Sequence, residues 1–173
     1  MALASLAAAP GPDGLFGAFL GALMLAIAAN DFHRYIIPNE LTAAAATLAL
    51  LRAGTLGPEA GWEAMLWAAA RAVAVALPLV ALMAGYRWWR GRDGLGLGDI
   101  KLATTAGAWL ALVTLFAVVE LATLTALGAY VLTGAIRRRP LKATAFLPFG
   151  LFLAPAIWLG WLAEALVDWH SAF

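Results

Sequence analysis

The sequence predicts an all-α integral membrane protein with about six transmembrane helices and no separate soluble domain. Of its 173 residues, 64% are hydrophobic and 12% are charged, whereas soluble domains are about 45–50% apolar and about 25% charged. A membrane-spanning helix needs about 20 mostly apolar residues. Six helices would therefore use most of the chain, and we expect one membrane domain over residues 1–173. The net charge of +1 predicts no nucleic-acid partner.

Apolar runs separated by charged residues, glycine and proline define the predicted helices. Their expected bounds are 14–31, 40–56, 62–88, 99–114, 116–136 and 144–166. The boundary between the fourth and fifth helices rests on length alone, because no Gly, Pro or Asn occurs between Leu110 and Leu124. At about 1.5 Å per residue, one helix from Asp99 to Arg137 would be nearly twice as long as a bilayer core is thick.

Basic residues predict how the helices are oriented. Nine of the eleven lie in or beside the first, third and fifth loops: Arg34, Arg87, Arg90, Arg92, Lys101, Arg137, Arg138, Arg139 and Lys142. Because basic loops remain in the cytoplasm, we expect these loops to be cytoplasmic and both termini to be outside. Arg71 is then expected to snorkel outward, with Glu120 near an outer turn. Trp158 and Trp161 are expected to anchor the last helix at the membrane interface.

Few side chains are available for catalysis. The sequence has no cysteine, its only serines are Ser5 and Ser171, and its only histidines, His33 and His170, fall on opposite membrane sides. This excludes a cysteine nucleophile, a Ser-His hydrolase and a zinc site of the HExxH type. The run GLGLGD lacks the GxGxxG spacing of a dinucleotide site. We therefore predict no metal and no organic cofactor.

Two aspartates remain as candidates for chemistry. Asp31 ends the first predicted helix and Asp99 begins the fourth, so both are expected at the cytoplasmic side. Two carboxyl groups close together in a partly dry site cannot both ionise cheaply, so one keeps its proton. The charged carboxylate can activate water, while the protonated carboxyl stabilises an oxyanion. The alternative is that both aspartates only cap helix ends.

Three stretches in order along the chain resemble known motifs. DFHRYIIPNEL, from Asp31, is similar to the D-x6-P-N-x-L pattern of the type IV prepilin peptidase family, and GLGDIKL, from Gly96, is similar to its G-x-G-D-x-K-L pattern. LPFGLFLA, from Leu147, resembles the Ile-Pro-Phe-Gly segment of the family's last helix. These proteins are GXGD-type intramembrane aspartyl proteases.

The resemblance implies that Asp31 and Asp99 are the catalytic pair of an aspartic endopeptidase. The implied substrate is a prepilin with a short basic leader followed by an apolar helix, cleaved at the cytoplasmic face of a prokaryotic cytoplasmic membrane. Membrane lipids are the other expected partner. The longer family members carry in addition a segment with paired cysteines that is associated with N-methylation. This sequence resembles the short, peptidase-only members, including those serving Flp-type pili, so N-methyltransferase activity is predicted to be absent.

Other residues of the motifs are predicted to bind substrate or shape the site. They are Gly96, Gly98, Pro38, Asn39, Lys101 and Pro148. The two glycines allow close approach of the backbone to substrate, although a flexible loop entering a helix explains them as well. Asn39 is expected to be a helix N-cap, and Lys101 to contact a lipid headgroup or a loop. Pro148 is expected to break or kink the sixth helix.

Two other functions remain open at the level of sequence. A proton-coupled transporter would use Asp31, Asp99 and Glu120 as a relay, although no inverted repeat is visible and both aspartates lie toward one face. A non-catalytic membrane assembly subunit would use the aspartates only as caps. Asp93 and Glu40 are candidates for contacting a basic leader. The sequence leaves open the cognate pilin and the oligomeric state.

Overall fold

The computed structural model describes residues 1–9, 11–56, 59–91, 96–137 and 147–171, and these form α-helices joined by short connections. The helices are α1 Ala2–Ala8, α2 Pro12–Arg34, α3 Asn39–Thr55, α4 Trp62–Arg90, α5 Leu97–Trp109, α6 Leu112–Ile136 and α7 Gly150–Ser171. The all-α class predicted from composition is therefore confirmed.

Four helices are long and apolar enough to cross a bilayer: α2, α4, α6 and the part of α7 from Gly150 to Val167. This supports an integral membrane protein. The other two predicted spans are shorter, since α3 has 17 residues and α5 has 13. At about 1.5 Å per residue, α5 extends only about 20 Å and does not match the bilayer core by itself.

The turn expected between the fourth and fifth spans exists, but earlier in the chain than predicted. Helix α5 ends at Trp109 and α6 begins at Leu112, so the predicted break between residues 114 and 116 is wrong. Leu110 and Ala111 both adopt extended backbone conformations. The Glu164 carboxylate on α7 accepts a hydrogen bond from the Ala111 N–H at 2.9 Å. This contact between distant residues stabilises the start of α6, which explains why no local turn signal marks it.

Helices α2 and α7 pack extensively against each other through small residues on α2. The buried positions of α2 follow helical spacing and include Gly14, Gly17, Gly21 and Met24. Gly17 faces the ring of Trp161 on α7. Helix α1, which the sequence did not predict, packs beside them.

The prediction that Trp158 and Trp161 anchor at the membrane interface is wrong. Trp161 is fully buried and Trp158 is 6% exposed. The indole N–H of Trp158 donates to Ser5 Oγ at 3.0 Å, which joins α7 to α1. The two indoles pack inside the bundle because glycines of α2 leave room for them.

Arg71 makes a contact that the sequence did not predict. Its guanidinium is half-buried and donates from Nη2 to the Ala108 carbonyl at 3.4 Å, at the C-terminal end of α5. A cation at a helix C-terminus is favoured by the unpaired carbonyl groups there. Arg71 therefore binds the C-terminal end of α5, the end opposite Asp99. Glu120 is exposed on α6, eight residues after the helix begins at Leu112, so it lies farther from the turn than expected.

Candidate active site

The C-terminal end of α2 carries Asp31, which is only 5% exposed. Helix α2 ends three residues later, at Arg34, because Tyr35 adopts a left-handed conformation with φ 54°. The Tyr35 N–H donates a hydrogen bond to the Asp31 carbonyl. Pro38 is extended and is the N-cap of α3, which begins at Asn39. This short connection leaves the Asp31 side chain facing the bundle.

The carboxylate of Asp31 lies at the N-terminus of α7. Its Oδ2 accepts a hydrogen bond from the Leu151 N–H at 3.0 Å, and the Gly150 backbone N–H also faces it. The first N–H groups of a helix lack partners within the helix and form its positive end, so they favour a negatively charged group. Burial of the Asp31 side chain disfavours its charged form, and these two backbone N–H groups partly offset that cost.

Asp99 lies in the first turn of α5 and is partly buried. Its carboxyl turns back toward the start of the helix. The evidence is the short distance of 3.0 Å between Asp99 Oδ2 and the position that a Cβ on Gly96 would take. The Asp99 carboxyl lies near enough to Asp31 for the two side chains to interact electrostatically. The structure therefore brings together the two aspartates that the sequence singled out.

Ile37 lies between the elements that carry the two aspartates. A Cβ on Gly98 would be 3.1 Å from Ile37 Cβ, and a Cβ on Gly150 would be 2.8 Å from Ile37 Cδ1. Both glycines are therefore needed for close packing around this side chain, which is 9% exposed. Sequence reasoning did not select Ile37 or Gly150, although both lie within the quoted motifs.

Lys101 and Asn39 connect the first two motifs. Lys101 Nζ donates a hydrogen bond to Asn39 Oδ1 at 2.7 Å. Asn39 is the first residue of α3, and Pro38 is the N-cap. The prediction that Asn39 is the N-cap is therefore wrong. The described partner of Lys101 is therefore the first residue of α3 and not the expected loop residue.

Pro148 precedes α7, and the helix begins at Gly150 rather than near residue 144. Residues 144–146 of the sixth predicted helix lie outside the described residues. The Pro148 carbonyl accepts from the Leu151 N–H at 3.2 Å, so this N–H is shared with Asp31. Of the candidate leader contacts, Glu40 is exposed in the first turn of α3, and Asp93 lies outside the described residues.

The site offers a pair of carboxyl groups and a set of backbone donors. Among the residues that the structure describes, no three His, Cys, Asp or Glu side chains group as metal ligands would. Glu120 lies in the first half of α6, and the residue before this helix, Ala111, contacts Glu164 in the C-terminal part of α7. Asp31 instead contacts the N-terminus of α7. This arrangement does not favour a relay through all three acids.

Comparisons with known proteins identify the family to which most of this chain is similar. The model of the Type IV leader peptidase family matches residues 18–135, which include both aspartates. A prepilin leader peptidase/N-methyltransferase of Aeromonas hydrophila is 31% identical over 94% of this chain and 54% of its own length. The protein of the same name from Burkholderia pseudomallei (strain 1026b) is 38% identical over 88% of this chain and 50% of its own.

The chain spans about half the length of these relatives. No solved structure matches the chain. The family model nevertheless covers most of the 173 residues, including the end of α2, the connection to α3 and all of α5. This chain therefore belongs to the type IV leader peptidase family.

Proposed function

We propose that this chain is an intramembrane aspartyl endopeptidase that removes the short basic leader from type IV prepilins. The observation that carries the proposal is the placement of Asp31 at the N-terminus of α7, with Asp99 of α5 near enough to interact with it. The names of the relatives agree with this activity. Cleavage then needs only water and these two groups.

The hydrogen bonds suggest different roles for the two aspartates. Asp31 accepts from the N-terminus of α7 and is the charged base, because charge-assisted bonds from backbone N–H groups stabilise a carboxylate. Asp99 keeps its proton because its carboxyl is partly buried and, secondly, because it lies near the negative charge of Asp31. Asp31 takes a proton from water as the water oxygen bonds to the peptide carbonyl carbon, and Asp99 donates its proton to the carbonyl oxygen. Asp99 then recovers that proton as the carbonyl re-forms and the C–N bond breaks, and Asp31 passes its own to the leaving amine.

The distribution of charge supports a cytoplasmic site. Asp31, the N-terminus of α5 and the N-terminus of α7 lie at the same end of the bundle. The chain segments that border this end contain nine of the eleven basic residues, so the positive-inside rule places it in the cytoplasm. Helices α2 to α7 then alternate in direction, with both termini outside, and the membrane is the cytoplasmic membrane of a prokaryote.

The proposal is limited to peptidase activity. The names of the relatives include N-methyltransferase. The 173 residues contain no cysteine, whereas the segment associated with N-methylation in the longer members has paired cysteines. We therefore assign this chain only the hydrolytic step, acting as one membrane domain together with lipid.

The test is cleavage of a short-leader prepilin by the detergent-purified protein. We expect Asp31→Asn and Asp99→Asn each to abolish cleavage, with Glu120→Gln as a carboxylate control that retains it. The pH dependence of the cleavage rate should be bell-shaped, because one carboxyl group must be charged and the other protonated. Cleavage that persists in the double Asn variant would refute the proposal. Assembly preserved in that variant, or proton flux in liposomes that Asp99→Asn abolishes, would support the two other functions.

A further inference from the structure

Helices α3 and α5 contact each other through small residues on the α3 side. The buried positions of α3 are Thr42, Ala45 and Ala49. Such a surface has few large side chains to interlock with a neighbour, so apolar packing alone only weakly determines how far α5 is shifted along α3. This shift matters because Asp99 is carried by α5.

Polar contacts supply the missing constraint. On α5, three side chains spaced four residues apart face α3 and donate hydrogen bonds to it. The contacts are Lys101 Nζ to Asn39 Oδ1 at 2.7 Å, Thr105 Oγ1 to the Thr42 carbonyl at 3.5 Å, and Trp109 Nε1 to the Ala45 carbonyl at 2.9 Å. The first and last of these are short, and they lie at opposite ends of α5.

The contact of Lys101 is the one next to the aspartates. Lys101 follows Asp99 by two residues, which is about 3 Å along a helix. Asn39 follows Asp31 by eight residues, across the short connection that includes Ile37. The bond therefore joins the first turn of α5 to the chain segment that continues from the other aspartate.

We propose that Lys101 is a positioning residue, whose hydrogen bond to Asn39 holds Asp99 at the correct place relative to Asp31. This inference rests on the proposed peptidase function. Lys101 is exposed and points to Asn39, and it acts on the reaction through the position of α5. Loss of the bond frees the first turn of α5, which carries Asp99, to move relative to α3, while Trp109 still holds the other end of the helix. A shift of 1 Å at a catalytic group can lower a rate by about 100-fold.

The experiment is a double-mutant cycle in the full chain with a short-leader prepilin as substrate. Lys101→Met removes the donor at similar size, and Asn39→Ala removes the acceptor. We expect each variant to lower kcat about tenfold with KM changed less than twofold, because the contact orients reacting groups and does not bind substrate. The double variant should be no slower than either single variant, since all three lack the same bond.

Three further variants separate positioning from other effects. Asn39→Asp keeps an acceptor oxygen and should remain within twofold of wild type. Arg90→Met removes another exposed cation, from the end of α4, and should leave kcat unchanged. Trp109→Phe removes the contact at the far end of α5 and should lower the melting temperature with kcat within twofold.

Several results would overturn the inference. They are an unchanged kcat in Lys101→Met, a change in KM alone, or losses that multiply in the double variant. If Lys101→Met does not fold, the comparison of Asn39→Ala with Asn39→Asp tests the inference instead. An equal loss of kcat in these two variants would refute the inference. Loss of cleavage in Asp99→Asn with normal cleavage in Lys101→Met would refute only this inference and preserve the peptidase function.

Discussion

Gly150 provides a sharp test of the geometry around Asp31. A Cβ at this position would lie 2.9 Å from Asp31 Oδ2 and 2.8 Å from Ile37 Cδ1, whereas ordinary contacts begin at 3.4 Å. Ile37 already packs against Gly98 and has little room to retreat. Gly150→Ala should therefore displace the Asp31 carboxylate by about 0.5 Å. Because a 1 Å error can lower a rate by about 100-fold, we expect about a tenfold loss in kcat.

Stability should change much less than activity in this variant. Crowding in a packed region costs about 1–3 kcal/mol, but alanine is favoured over glycine in a helix by up to about 1 kcal/mol. The assay compares prepilin cleavage with thermal unfolding in detergent. Gly128→Ala is the matched control, because nothing lies within 4 Å of the added Cβ on α6. Wild-type cleavage by folded Gly150→Ala would show that the reaction does not need Asp31 held against α7.

Two further predictions concern the bundle away from the aspartates. Arg52 donates hydrogen bonds to the Asp13 carboxylate from two nitrogens, at 2.6 and 3.3 Å. Arg52→Met should therefore lower the free energy of unfolding by about 1 kcal/mol and leave kcat unchanged. A tenfold slower cleavage would contradict this prediction. Trp161→Ala opens a cavity beside Gly17 and should cost about 2–3 kcal/mol, less than in a soluble core because lipid is also apolar. The exposed Trp62→Ala is its control, and equal melting temperatures for the two variants would refute the buried placement.

The approach of the two motifs was predictable only in part. Asp31 and Asp99 were singled out because reactive side chains are scarce in the sequence and because the flanking residues resemble a known family. The hydrogen bond between Lys101 and Asn39 and the insertion of Ile37 between two glycines join residues that are far apart in sequence. Hydropathy and local spacing contain no information about such pairs, so these contacts were not predicted.

The same distinction applies to the fold. The sequence by itself determined the all-α class and the apolar helices, because a chain that is 64% hydrophobic and interrupted by charged loops suits a membrane and not water. Only the tertiary structure decided that Trp158 and Trp161 are buried and that α5 ends at Trp109. Glycines of α2 make room for the indoles, and Glu164 binds the start of α6 from another helix. Each outcome depends on a partner that only folding brings near, which is the physical reason it could not be read from local sequence.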